Sequence, residues 1–108
     1  MVANKTSHIL TILAVADPDR SVKFYQEAFG WPIRVKAAAY VELAVDGRGL
    51  GLYQREGFAR NTGQLPVATP EGAIGGLEIY LHCENLEVIC ARLDRANARL
   101  LSTRSARD

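Results

Sequence analysis

The stretch Leu77-Glu78-Ile79-Tyr80-Leu81-His82-Cys83 sets a carboxylate, a phenol and an imidazole at alternate positions. If it is a strand, Glu78, Tyr80 and His82 share one face, and Leu77, Ile79, Leu81 and Cys83 share the other. The polar triple suits recognition of a small aromatic or cationic molecule, and it equally suits a sheet face open to water. Direct acid–base pairing of Glu78 with His82 is excluded, because four residues of strand span ~13 Å. No nucleophile constellation stands out elsewhere. Ser21 falls inside a helical pattern, and neither Cys83 nor Cys90 has an activating neighbour in sequence. The two cysteines fit neither a zinc pair nor a CxxC redox motif, and reduced core thiols of a cytoplasmic protein are expected.

The bulk numbers narrow the class. A chain of 108 residues is one compact domain with a core large enough to fold alone. It is 48% hydrophobic and 23% charged, which excludes a disordered or collagen-like chain. Thirteen basic and twelve acidic residues give a net charge of +1 without a basic stripe, so no nucleic-acid partner is expected. The opening MVANKTSHIL lacks the apolar core of a signal peptide, and no apolar run approaches membrane-spanning length, so no membrane partner is expected either.

The elements that must position these groups come in two similar units. His8–Val15 is an apolar run of strand length. Asp17 is a natural N-cap with Pro18 at the first helical position. Val22, Tyr25, Ala28 and Phe29 recur at helical spacing, and Gly30 supplies a left-handed stop, predicting a helix over 18–29. Trp31-Pro32-Ile33 leads into an extended segment. Residues 39–45 and 49–55 flank Asp46-Gly47, a strong hairpin turn signal. A shift of 68 residues maps Leu13 onto Leu81, Asp17 onto Asn85, Val22 onto Cys90 and Tyr25 onto Leu93. Asn85 then caps a second helix built on Leu86, Ile89, Leu93 and Ala96, with Asn97 as its left-handed end. Strands are predicted at 77–83 and 98–102. The same shift places the counterpart of 39–55 from residue 107 onward, so the second unit is expected to be short of about two strands. Segment 56–76, with two prolines and five glycines, reads either as a lid or ligand-binding loop or as a plain linker.

The run Val15-x-Asp17-x-x-x-Ser21-x-x-Phe24-Tyr25 with Gly30-Trp31 resembles the vicinal oxygen chelate superfamily of glyoxalases, extradiol dioxygenases, fosfomycin-resistance enzymes and bleomycin-binding proteins. The resemblance implies an α+β fold of paired βαβββ modules forming a curled mixed sheet with a concave cleft. Module one is then 8–55, the linker 56–76, and a truncated module two 77–108. Metal-dependent members carry a ligand on the first strand of each module, seven residues before the capping residue, and another on the fourth strand. Those rules select Leu10, Glu78 and Gly51, of which Glu78 alone offers a donor. One carboxylate does not hold a catalytic divalent ion. No metal and no cofactor are therefore expected. His8, two residues before Leu10, lies ~6.6 Å from it along the strand, too far to share a coordination sphere with that position without a register slip.

The resemblance also says which face is concave. It would carry Glu78, Tyr80 and His82, with Leu10, Ile12 and Ala14 as an apolar wall. Tyr40, Glu42 and Ala44 join from the third strand, and Tyr53 and Arg55 stand beside Gly51. Trp31 and Phe58 are placed at the ends of the cleft, although a tryptophan after this helix more often packs in the core. The expected ligand-binding set is Glu78, Tyr80, His82, Glu42, Tyr53, Phe58 and Trp31. It describes a metal-independent protein that sequesters a small aromatic or cationic compound, similar to bleomycin-resistance proteins. The alternative is a glyoxalase- or dioxygenase-type metalloenzyme with displaced ligands His8, Glu78 and His82. With two strands missing, 77–83 is expected to keep an unpaired edge, and a homodimer with exchanged modules is the expected repair. The tail TRSARD is then mobile or at the contact.

Overall fold

A computed structural model of the chain describes residues 4–101. The first unit folds as its local signals dictate. β1 (Leu10–Val15) is followed by α1 (Pro18–Phe29), β2 (Ile33–Lys36), β3 (Tyr40–Val45) and β4 (Arg48–Gln54). The four strands form one mixed sheet in the order β1-β4-β3-β2, with β1 parallel to β4 and the other neighbours antiparallel.

α1 begins where Asp17 accepts from the backbone N–H groups of Asp19 and Arg20 at 3.1 and 3.3 Å. Two donors that the first helical turn leaves orphaned are thereby satisfied. The helix ends at Gly30, whose φ of 72° is left-handed and whose N–H reaches the Gln26 carbonyl at 2.9 Å. The β3–β4 hairpin turns on Asp46 and Gly47, at φ of 49° and 80°. Positive φ at both central residues matches the twist of the flanking strands, which is why this dipeptide closes two-residue hairpins.

Alternation gives the sheet two unlike faces. Val41, Leu43 and Leu52 point toward α1 and form the core with Val22, and Leu13, Val15, Tyr25 and Trp31 pack around them. Leu43 and Leu52 are fully buried, each contributing about 1.5–3 kcal/mol. The opposite face carries Leu10, Ile12 and Ala14 from β1, Gly49, Gly51 and Tyr53 from β4, and Tyr40, Glu42 and Ala44 from β3.

The second half differs from expectation in three places. Segment 56–76 is not wholly irregular, since α2 (Arg55–Thr62) occupies its start and takes Arg55 out of the preceding strand. Gln54 caps α2, its side-chain oxygen accepting from the N–H groups of Glu56 and Gly57 at 3.1 and 3.4 Å. Residues 77–83 and 98–101 form no strand among the described residues, and Ser102 and the TRSARD tail lie outside them. A strand exists only by pairing, and β1, whose outer edge is free among the described residues, is not joined by 77–83. The apolar alternation survives without the ladder: Leu77, Ile79 and Leu81 line a groove with Leu13, Phe24, Tyr25, Phe29 and Trp31. α3 (Leu86–Arg95) does form, with Asn85 accepting from Val88 N–H at 3.2 Å and Asn97 at φ 63°. It contains no buried residue. Cys83 and Cys90, expected in the core, are exposed for the same reason: among the described residues no second layer covers this half.

Candidate functional site

The open face of the sheet holds a polar cluster built from three strands and two missing side chains. Glu42 on β3 stands opposite Gly51 on β4, and β2 brings Arg34 alongside. Arg34 Nε donates to Glu42 Oε2 at 2.6 Å, and Tyr40 Oη donates to Glu42 Oε1 at 2.5 Å. Both carboxylate oxygens are therefore committed. Gly49 and Gly51 make this arrangement possible. A Cβ at Gly49 would collide with Arg34 Nη2 and stand 2.8 Å from Leu10 Cδ1. A Cβ at Gly51 would stand 2.6 Å from Tyr40 Oη. The arginine and the tyrosine thus lie down across the glycine row.

The electrostatics follow from that packing. The Tyr40 hydroxyl, then the Arg34 guanidinium, hold the Glu42 carboxyl below its ordinary value, outweighing the burial that opposes ionisation. Burial, then the bond to Glu42, push the Tyr40 hydroxyl far above its ordinary value. Glu42 is anionic and Tyr40 neutral across the physiological range. The Tyr40 ring meets Tyr53 edge-on at 5.0 Å, and Tyr53 in turn packs beneath Gly57 of α2. Phe58, the next residue of that helix, is half-buried. Arg55, at its start, donates from Nη2 to the Pro66 carbonyl at 3.0 Å, while its Nε is buried with no hydrogen-bond partner among the described residues.

Of the residues singled out by sequence, Glu42 and Tyr53 come together here, with α2 bringing Phe58 to the same end of the sheet. Trp31 does not. It lies on the opposite face, stacked on Phe29 at 4.6 Å and near Tyr25 at 5.8 Å, because α1 and its glycine stop return the chain toward the core. Tyr25 is buried enough there that its hydroxyl is pushed above its ordinary value. Glu78, Tyr80 and His82 are exposed, and only the Tyr80 and His82 rings touch, edge-on at 5.5 Å. No hydrogen bond, ion pair or ring contact joins them to Glu42 or Tyr53 among the described residues. Arg34 and the supporting role of Tyr40 were missed. Their available signal was a Gly-x-Gly on β4 opposite a lone strand glutamate.

The arrangement does not suit a divalent ion. Leu10 and Gly51 have no donor side chain, and Glu42 already serves two donors. His8 is bonded to Thr11 Oγ1 at 2.9 Å, on a residue that points away from the Leu10 face. Among the described residues no three of His, Cys, Asp and Glu gather at one point, whereas catalytic zinc takes three protein ligands.

A family model described as Glyoxalase/Bleomycin resistance protein/Dioxygenase superfamily matches residues 5–106. The chain belongs to that superfamily. No curated protein matches it by sequence. Among solved structures it is similar to a glyoxalase-related enzyme from Fulvimarina pelagi, with a TM-score of 0.72 and 18% identity over 85% of this chain and 66% of that one. A glyoxalase/bleomycin resistance protein/dioxygenase from Nocardioides gives 0.69 and 17% over 94% and 68%. Lactoylglutathione lyase from Agrobacterium tumefaciens gives 0.66 and 17% over 92% and 76%. At such identities the likeness shows the superfamily fold alone. The chain spans about two thirds of the first of these solved chains. Among the described residues no helix is long and apolar enough to cross a membrane.

Proposed function

We propose that this superfamily member binds a small aromatic molecule on the open sheet face and does so without a metal. The observation that carries the reading is the Arg34–Glu42–Tyr40 cluster over the glycine row: the buried carboxylate of this face is closed by two protein donors. Tyr40, Tyr53, Leu10 and Ile12 surround it with half-buried apolar and aromatic surface, the mixture expected of small-molecule sites. Metal analysis after purification without added metal tests the reading, and a small fraction of an equivalent is expected. About one equivalent of zinc, nickel, manganese or iron, lost in Glu78→Gln, would favour the metalloenzyme with displaced ligands.

We also infer a homodimer. Its support is the unpaired segment 77–83, the outer edge of β1, and Leu77 and Leu81 at 54% and 41% exposure. Laid along β1 of a second chain, 77–83 would continue the apolar face with Leu77, Ile79 and Leu81. Glu78, Tyr80 and His82 would then join the open face. Sedimentation at micromolar concentration should find a dimer whose thermal midpoint rises with concentration. A well-folded monomer at that concentration would refute it.

A further inference from the structure

Arg34 spends only part of its donor capacity on Glu42. The bond at 2.6 Å uses Nε, and neither Nη has a hydrogen-bond partner among the described residues. The Arg34 side chain is 35% exposed against 11% for Glu42, so the carboxylate is the more deeply set of the two. Nη2 hangs over Gly49, where a Cβ would strike it, beside Leu10 Cδ1. A guanidinium offers two parallel donors along its Nη edge, a geometry matched to a carboxylate rather than to a cation or a neutral group. Glu42 behind it holds the plane in place, which lowers the ordering cost when a ligand arrives.

The neighbouring surface sets the rest of the ligand. Gly51 lies two residues along β4 from Gly49, ~6.6 Å away, and there the Tyr40 ring and Ile12 form the floor. That spacing matches a single ring carrying a carboxylate. A cation finds no such anchor, since both Glu42 oxygens are engaged.

We propose that Arg34 is the anion receptor of the open face and that the compound bound there is an aromatic carboxylate. The assignment rests on the reading of this face as a small-molecule site, and the two are separated by comparing isosteric probes. Benzoate, benzamide and benzylamine are titrated into the 108-residue chain, followed through the methyl resonances of Leu10 and Ile12. Benzoate should bind at least tenfold more tightly than benzamide, and benzylamine should be the weakest. Arg34→Gln should remove most of the benzoate preference, and Arg34→Lys should remove much of it, because a point charge does not supply the fork. If Arg34→Gln fails to fold, Arg34→Lys and Glu42→Gln carry the test. Glu42→Gln leaves the guanidinium charged, so the preference for benzoate over benzamide should persist in that variant, and its loss there would overturn the receptor. Equal binding of benzoate and benzamide at these methyls would overturn the anion receptor and leave the small-molecule site standing. Tighter binding of benzylamine would overturn the receptor likewise. No response of these methyls to any of the three probes would overturn both.

Discussion

Gly51→Ala is a one-methyl test of how the open face is packed. The added carbon would lie 2.6 Å from Tyr40 Oη, 2.8 Å from Tyr40 Cε1 and 3.0 Å from Ile12 Cγ1. The first two contacts are shorter than carbon tolerates, so the phenol ring must lift. It cannot lift freely, because Tyr53 meets it at 5.0 Å and its hydroxyl is held by Glu42 at 2.5 Å. Overpacking of this kind costs about 1–3 kcal/mol. Losing a hydrogen bond to a charged group adds about 1.5–3 kcal/mol. The lower backbone entropy of alanine in the unfolded chain returns about 0.4–1 kcal/mol. The net loss is about 1.5–5.5 kcal/mol. For a chain of this size each kcal/mol is worth roughly 4 °C, so the midpoint should drop by roughly 6–22 °C. Urea denaturation of Gly51→Ala in native and Tyr40→Ala backgrounds decides whether Tyr40 is the cause. In the second background only the Ile12 contact remains, and the added cost should fall below about 1 kcal/mol. An equal loss in both backgrounds, or a loss under about 0.5 kcal/mol with Tyr40 present, would refute the packing argument.

Two further expectations concern the same unit. Because the folded-state pKa of Glu42 lies below its unfolded value, its contribution is fully present above the ordinary glutamate range and is lost as pH falls through the folded value. Tyr40 stays protonated over that window, so Glu42→Gln should flatten the acid limb of a urea-midpoint profile between pH 6 and 3, and an unchanged limb would assign it to other carboxylates. Asp17→Ala should cost about 1 kcal/mol through the lost N-cap, read by thermal unfolding, whereas a neutral result would mean that Pro18 alone starts α1.

The first unit was legible because its signals are local. Asp17-Pro18, Gly30 and Asp46-Gly47 each act through the backbone of their immediate neighbours, and each element they bound appears within a residue or two of its predicted place. Face assignment along β1, β3 and β4 was legible too, since alternation needs no partner. What was not legible depends on distant pairing. Arg34 meets Glu42 across the β2–β3 pairing, whose register shifts between Ile33 and Val35, and no pattern in β2 announces which strand it will pair with or where. α2 hides behind a glutamine cap and a glycine at its third position, both poor helix signals. At 77–83 alternation told which side chains turn to α1, but whether hydrogen bonds close along that segment depends on a neighbour the pattern does not contain.

The parallel contact between β1 and β4 carries a consequence for how the unit assembles. β3 and β4 are joined by a two-residue turn and can zip as soon as both exist, on the microsecond scale of hairpins. β1 has no such local partner: Leu10 pairs with Gly49, across a loop that contains α1, β2 and β3. During synthesis the first strand therefore leaves the ribosome early and waits, an apolar segment with neither edge satisfied, until β4 has emerged. Closing that long loop comes last and sets the pace, as non-local pairing does generally. The open face over Gly49 and Leu10 is completed by the same event, so the place assigned to the ligand is among the final parts of the fold to exist.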